Sequence, residues 1–284
     1  MIQIIRNILK KYFPKLYKRS EKLRLILYRK LFTKKIRINL VDEFFEFSPG
    51  GSGKRTLINE NIIFNIKNIS KALILLTRHT NNVKDYKTLD IDYDMAKDLK
   101  DAFQQNGSDK YIHDYHFLYS YIFSNFKIES LVEIGLGSTD GNILSNMGSF
   151  GNPGGCLRAF SEILEDDAVI IGLEIDEKVL FNEKNIKTYK FDQLNLNDVN
   201  EFISNNPEGF DLVIDDGLHS NISFINTIYM SQKILNKNGL LVIEDIFAEQ
   251  LDFLIIAFNL CKEIFEYEIY LMNKEYVIIA NKLI

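Results

Sequence analysis

Tryptophan is absent from the 284 residues, cysteine occurs twice and proline four times. Two thiols, Cys156 and Cys261, cannot staple a chain of this length, so it is expected to fold on its core in a reducing cytoplasm, not on a disulfide framework. No apolar run approaches the roughly 18 to 20 residues that a membrane-spanning helix needs. The longest, residues 253–260 with Leu251 ahead of it, is short and follows Asp252. The N-terminus is basic but lacks a clean apolar stretch with a small-residue cleavage site, so no secretory signal is expected. Internal repeats and low-complexity tracts are missing as well. What remains is an ordinary globular composition, 46% hydrophobic and 26% charged. It excludes disorder and collagen-like repeats. At this length it predicts one large domain, or a catalytic domain with a smaller appendage.

Charge is unevenly spread. Residues 1–37 hold 13 Lys or Arg against one acid, Glu21, a balance of +12; the rest carries 21 basic and 38 acidic residues, or −17. Within the basic arm, Ile2, Ile5, Leu9, Phe13 and Leu16, then Leu23, Ile26, Leu27 and Leu31, fall near helical spacing. They predict one or two amphipathic helices broken at Pro14. The arm reads first as a helical cap or dimer arm. The second reading is an interfacial helix resting on an anionic membrane from the cytoplasmic side. Nucleic acid is not expected as a partner, because the basic residues cluster in the arm while the body is acidic. Ser48-Pro-Gly-Gly-Ser-Gly53 followed by Lys54 is not a phosphate loop, which needs Gly at 48 and a hydroxyl residue where Arg55 stands. Residues 62–66 and 72–76 read as strands and 95–105 as a helix. Asn106-Gly107-Ser108 closes this N-terminal region, dividing the chain into residues 1–107 and 108–284.

From residue 111 the texture changes. Residues 111–126 read as an aromatic helix. Short apolar runs at 130–134, 169–173, 188–191, 212–214 and 240–243 then alternate with helical stretches. That alternation predicts an α/β fold with a doubly wound, mostly parallel sheet. Residues 267–272 and 276–280, around Asn273-Lys274, read as a terminal antiparallel hairpin, which nicotinamide dehydrogenase sheets usually lack.

Leu131-Val-Glu-Ile-Gly-Leu-Gly-Ser138 is a strand running into Gly-x-Gly. The dinucleotide fingerprint wants a third Gly where Asp140 stands, and an acid roughly 20 residues on. Here the next strand ends much later, at Glu174 and Asp176, after a Gly/Ser/Asn-rich insertion at 138–153. Glu133, a carboxylate in a buried strand, implies a partner, because desolvating it alone is costly. Farther on, Ile214-Asp215-Asp216-Gly217-Leu218-His219 and Ile243-Glu244-Asp245 each end a strand in two acids. In a doubly wound sheet ligands sit at such ends. Four converging carboxylates raise one another's pKa unless a cation compensates. Oxygen ligands favour a hard ion such as Mg²⁺, and His219 is close enough to serve as a base beside it.

Acid-x-Gly-x-Gly resembles the first motif of Rossmann-like S-adenosylmethionine (SAM)-dependent methyltransferases. The resemblance implies that Glu133 lies beneath the methionine end of the cofactor, with Gly135 and Gly137 passing its backbone. It implies Glu174 on the ribose hydroxyls, with Asp176 as the alternative, and Asp192 and Gln193 near the adenine. Asp215 joins this cofactor-binding set. The Ile-Asp-Asp-Gly-x-His and Val-Ile-Glu-Asp-Ile pairing is similar to the metal-dependent sugar O-methyltransferases of the macrocin and mycinamicin type. The Pro153–Phe160 stretch and the Ser108-Asp-Lys-Tyr-Ile-His113-Asp-Tyr115 segment also resemble that family. The likeness spans about residues 108–250 and departs from it at Leu218, where Ser is usual. It implies a cation held by Asp216, Glu244 and Asp245, His219 as general base with Asp216 beside it, and substrate contacts from His113 and Tyr115. It further implies a homo-oligomer and a sugar acceptor, nucleotide-linked (such as a GDP-heptose) and from a surface-polysaccharide or capsule pathway. Three other readings stand beside it: methylation of another small oxygen acceptor such as a phosphoramidate or catechol, a nicotinamide-dependent oxidoreductase, and a non-catalytic adaptor in membrane or glycan assembly.

Overall fold

The computed structural model describes residues 83–147 and 152–284. The basic arm, the 48–53 turn, the strands expected at 62–66 and 72–76, and His79 lie outside the described residues. In chain order the elements are β1 (Val83–Asp85), α1 (Tyr93–Asn106), α2 (Tyr115–Asn125), β2 (Ser130–Ile134), α3 (Gly155–Ile163), β3 (Val169–Glu174), β4 (Asn182–Glu183) and β5 (Ile186–Lys190). They continue with α4 (Leu196–Asn205), β6 (Phe210–Asp215), α5 (Asn221–Ile234), β7 (Leu235–Ile246), α6 (Ala248–Leu260), β8 (Phe265–Leu271) and β9 (Tyr276–Lys282). The strands form one sheet in the order β1-β8-β9-β7-β6-β2-β3-β5-β4. The central pairs β7-β6, β6-β2, β2-β3 and β3-β5 are parallel. The expected terminal hairpin is present: β9 runs antiparallel to both β7 and β8. No helix among the described residues is long and apolar enough to cross a membrane.

Unbroken apolar strand sequences follow from burial on both faces, since successive side chains point to opposite sides. Leu131, Ile170, Leu212 and Leu240 join one core with α1, α2 and α3. Their neighbours Val132, Ile171, Val213 and Leu241 join the other with α4, α5 and α6. Local signals agree with these boundaries. The Asp92 side chain accepts from the N–H groups of Asp94 and Met95 to start α1, and Gly107, at φ 73°, ends it. Leu99 and Phe103 of α1 lie in the same core as Leu118 of α2. β1, not anticipated from the sequence, pairs in parallel with β8. The described part of the N-terminal region therefore belongs to the sheet's own core.

The helix expected over 111–126 begins only at Tyr115. Ahead of it Ile112 N–H bonds to the Asp109 carbonyl and Tyr115 N–H to that of Lys110, while Asp114 is left-handed at φ 64°. This tight turn is what aims Lys110 into the interior. Phe160 packs against Phe103 (5.7 Å between ring centres), Tyr119 (4.8 Å) and Phe123 (5.5 Å) and is fully buried. Phe160→Ala should cost about 3–5 kcal/mol of unfolding free energy, read from the midpoint of a urea titration.

Candidate active site

β2, β6 and β7 are adjacent, and their register sets Asp215 opposite both Ile134 and Ile243. The carboxyl ends of the three strands thus open together into a cleft of about 1120 Å³. The cleft is lined by the glycine loop, Glu174, Asp192 and Gln193 on one side, and by Asp216, His219, Asp245 and His113 on the other.

At the floor lies Lys110, only 2% exposed. Its ammonium lies 2.7 Å from Asp216 Oδ2 and 3.2 Å from Glu133 Oε1, and it bonds Glu244 Oε2. The rings of Tyr115 and Tyr119 flank it, 5.5 and 5.9 Å from its nitrogen. Burial pulls its pKa down, but Asp216, Glu244 and Glu133 more than offset this and hold the ammonium well above its ordinary range. One ammonium cannot neutralise three carboxylates, and burial pushes Glu133 and Glu244 upward in spite of it. Tyr119 donates to the second oxygen of Glu244, and the Cys156 thiol donates to Glu133 Oε2 at 2.7 Å. Glu133 and Glu244 are therefore sealed beneath Lys110 and do not line the cleft.

Of the acids that end β6 and β7, Asp216 and Asp245 are the two that face the cleft. Together with His219 they bring ligand atoms within 4.8 Å of one another. The cation set expected from the sequence thus separates at Glu244, whose oxygens are taken by Lys110 and Tyr119, and His219 stands in the gathered group instead. Asp216 Oδ1 lies 3.6 Å from His219 Nε2, too long for a hydrogen bond. The His219 side chain is 8% exposed, and its Nδ1 has no hydrogen-bond partner. Its backbone is held instead: Gln250 Nε2 donates to the His219 carbonyl at 2.8 Å. Both His219 (φ 53°) and Asp245 (φ 51°) are left-handed, a conformation that costs non-glycine residues free energy and concentrates at functional sites. Tyr115, expected to touch substrate, is buried, donates to Asp245 Oδ1 (2.6 Å) and accepts from Asp245 N–H (3.1 Å). It fixes Asp245.

On the cofactor side, Gly135 (φ 95°) and Gly137 (φ 80°) need their freedom for the chain's own packing. A Cβ at Gly135 would meet the Asp216 carbonyl oxygen at 2.1 Å, and one at Gly137 the Met147 side chain at 2.7 Å. Glu174 lines the cleft and accepts from the N–H groups of Leu136 (2.9 Å), Ile175 (2.8 Å) and Asp176 (3.1 Å), bracing the loop. Asp176 turns away, accepting from Ser138 Oγ at 2.5 Å and capping the short turn at Glu177–Val179. Asp215 is buried behind the cleft. It accepts from Gln193 Nε2 (2.8 Å) and Gly217 N–H (3.3 Å), so it and Gln193 shape the 215–219 loop. Asp192 lines the cleft and accepts from Leu194 N–H.

Sequence reasoning missed Glu275, on the turn between β8 and β9, whose carboxylate lies 3.4 Å from His113 Nδ1. Glu275, through its hydrogen bond, raises His113 to about 9 against the opposing effect of burial. Its pair with His113 reads as surface charge in sequence and gains meaning only when the hairpin folds back.

Neither a family model nor a curated protein matches the sequence. Among solved structures, the chain resembles the MycE methyltransferase of the mycinamycin biosynthetic pathway in complex with Mg, SAH and mycinamycin VI. The identity is 22% and the TM-score 0.53, over 66% of this chain and 54% of that one. A second structure of that enzyme, with Mg and SAH, gives 23% identity and a TM-score of 0.52 over 66% and 55%. The chain thus spans about half the length of the solved structures it resembles. The likeness shows the fold alone, an α/β fold shared with those solved structures.

Removing the Lys110 ammonium should leave two buried acids, Glu133 and Glu244, and the cleft-facing Asp216 without their counter-charge. Lys110→Met is expected to lose about 3–5 kcal/mol of stability, and pairing it with Glu244→Gln should recover part of that loss. Urea unfolding of both variants reads the difference.

Proposed function

We propose that the chain is a SAM-dependent O-methyltransferase that methylates a hydroxyl of a sugar, with a divalent cation at Asp216 and Asp245. One observation carries the reading. An imidazole and two carboxylates, of which His219 and Asp245 are held in left-handed backbone, gather in the cleft that the glycine loop borders. The donor set fits a divalent cation: the two cleft-facing carboxylates, Asp216 and Asp245, offer the oxygen ligands a hard ion takes, His219 stays outside that set beside them, and Lys110, the nearest ammonium, is already shared among three acids. SAM supplies an electrophilic methyl group and the cation a Lewis acid that lowers the acceptor hydroxyl's pKa.

The remaining work falls to the chain's own side chains. Glu174 braces the glycine loop and presents its carboxylate toward the ribose diol, while Asp192 faces the adenine end. Glu133 acts from below, through Lys110 and Cys156. His219 takes the proton from the acceptor hydroxyl, and Asp216, beside its Nε2, stabilises the resulting imidazolium. The floor sealed by Lys110 excludes water, and positioning the acceptor in line supplies much of the acceleration. A nucleotide-linked sugar in surface-polysaccharide synthesis, a cytoplasmic setting and a homo-oligomer complete the proposal.

His219→Ala should lower turnover by about 10²–10⁴ while affinity for SAH is kept; unchanged turnover removes His219 as base. EDTA should abolish methyl transfer from radiolabelled SAM to a nucleotide-sugar panel, and Mg²⁺ should restore it. Activity indifferent to EDTA would remove the cation.

A further inference from the structure

We propose that Glu275 and His113 together bind neighbouring hydroxyl groups of the acceptor, so that the terminal hairpin selects a neutral polyol; the inference rests on the methyl-transfer reading above. One bond closes the hairpin turn and a second ties it to the segment that carries His113. Met272 N–H donates to the Glu275 carbonyl at 3.0 Å, and the Asn273 side-chain amide donates to the Ile112 carbonyl at 3.3 Å. Glu275 and His113 are thereby held on facing walls, from opposite ends of the described chain. The His113 ring stacks on Tyr115 with 6.1 Å between ring centres.

Two side-chain groups share one member. The ligand atoms of His113, Asp245 and Glu275 lie within 4.8 Å of one another, and so do those of Asp216, His219 and Asp245. A hydroxyl set against His219 therefore has its neighbours on the carbon chain within reach of Glu275 and His113. Unlike the sealed pair Glu133 and Glu244, these side chains remain 25% and 37% exposed and border the cleft. A carboxylate offers about four acceptor sites, and His113 uses only part of that capacity. Hydroxyl donors suit what is left.

Charge narrows the class further. With the proposed cation offsetting Asp216 and Asp245, it is the Glu275 carboxylate, bordering the same cleft, that disfavours an anionic substituent at the carbon it would contact. An apolar ring would desolvate the Glu275–His113 pair without offering a hydrogen bond to the capacity that pair leaves open, which is costly. A neutral polyol satisfies both.

The test is calorimetric binding to the SAH-loaded protein in Mg²⁺. The probes are methyl glycosides of mannose, galactose and glucose, with catechol as the contrasting arm. At least one glycoside should bind more tightly than catechol. Glu275→Gln, close in shape to the native side chain, and His113→Ala should each weaken that glycoside about tenfold or more. SAH affinity and Tm should be kept. The inference is overturned if Glu275→Gln holds the glycoside as tightly as the unsubstituted protein. It also fails if catechol binds best, or if no glycoside binds while SAH does. Failure of the unsubstituted protein to bind SAH would instead overturn the methyl-transfer reading itself.

Discussion

The ammonium of Lys110 is the interaction on which the site depends. Three neighbouring parallel strands deliver Glu133, Asp216 and Glu244 to one point, and a low-dielectric interior does not tolerate three carboxylates without a counter-charge. Lys110 answers from a turn rather than from the sheet, which explains why residues 108–114 do not extend the helix that follows. Its bond to Asp216 Oδ2 leaves Oδ1 on the side of His219. The same contact that balances charge beneath the floor therefore orients the group above it.

This arrangement divides the acids by depth. Glu133 and Glu244 are interior: Lys110 forms an ion pair with both, Cys156 bonds Glu133, and Tyr119 bonds Glu244. Asp216 and Asp245 remain at the surface of the cleft, where an ion or a substrate reaches them. Left-handed backbone at His219 and Asp245 costs of order 1–3 kcal/mol each. The surrounding structure over-determines both: Gln250 holds the His219 carbonyl, and Tyr115 bonds Asp245 through side chain and backbone.

Much of this was legible before folding. Apolar runs between helical stretches located β2 to within a residue and placed both acid-bearing strand ends, because burial on two faces leaves no alternation to confuse. The glycine loop and Asp192 fall at the cleft, where strand ends were expected to open, for the same reason. The depth of each acid was not legible. Glu244 and Asp245 are adjacent in sequence and alternate in direction, so one enters the floor and the other the cleft. Lys110 sits in a polar turn, where lysine ordinarily reads as solvated. The signal that was available was the surplus of buried strand-end carboxylates, which required a cation from elsewhere in the chain. Glu275 carried no local signal, since its place follows from β9 running back beside β7.

The central claim is that the cleft bordered by Gly135, Glu174 and His219 is built for a SAM-type cofactor rather than a nicotinamide dinucleotide. Isothermal titration of the full chain with SAH and, separately, with NAD decides it most directly. The account predicts saturable binding of SAH at one per chain and no heat above dilution with NAD. Binding of NAD with none of SAH would contradict it.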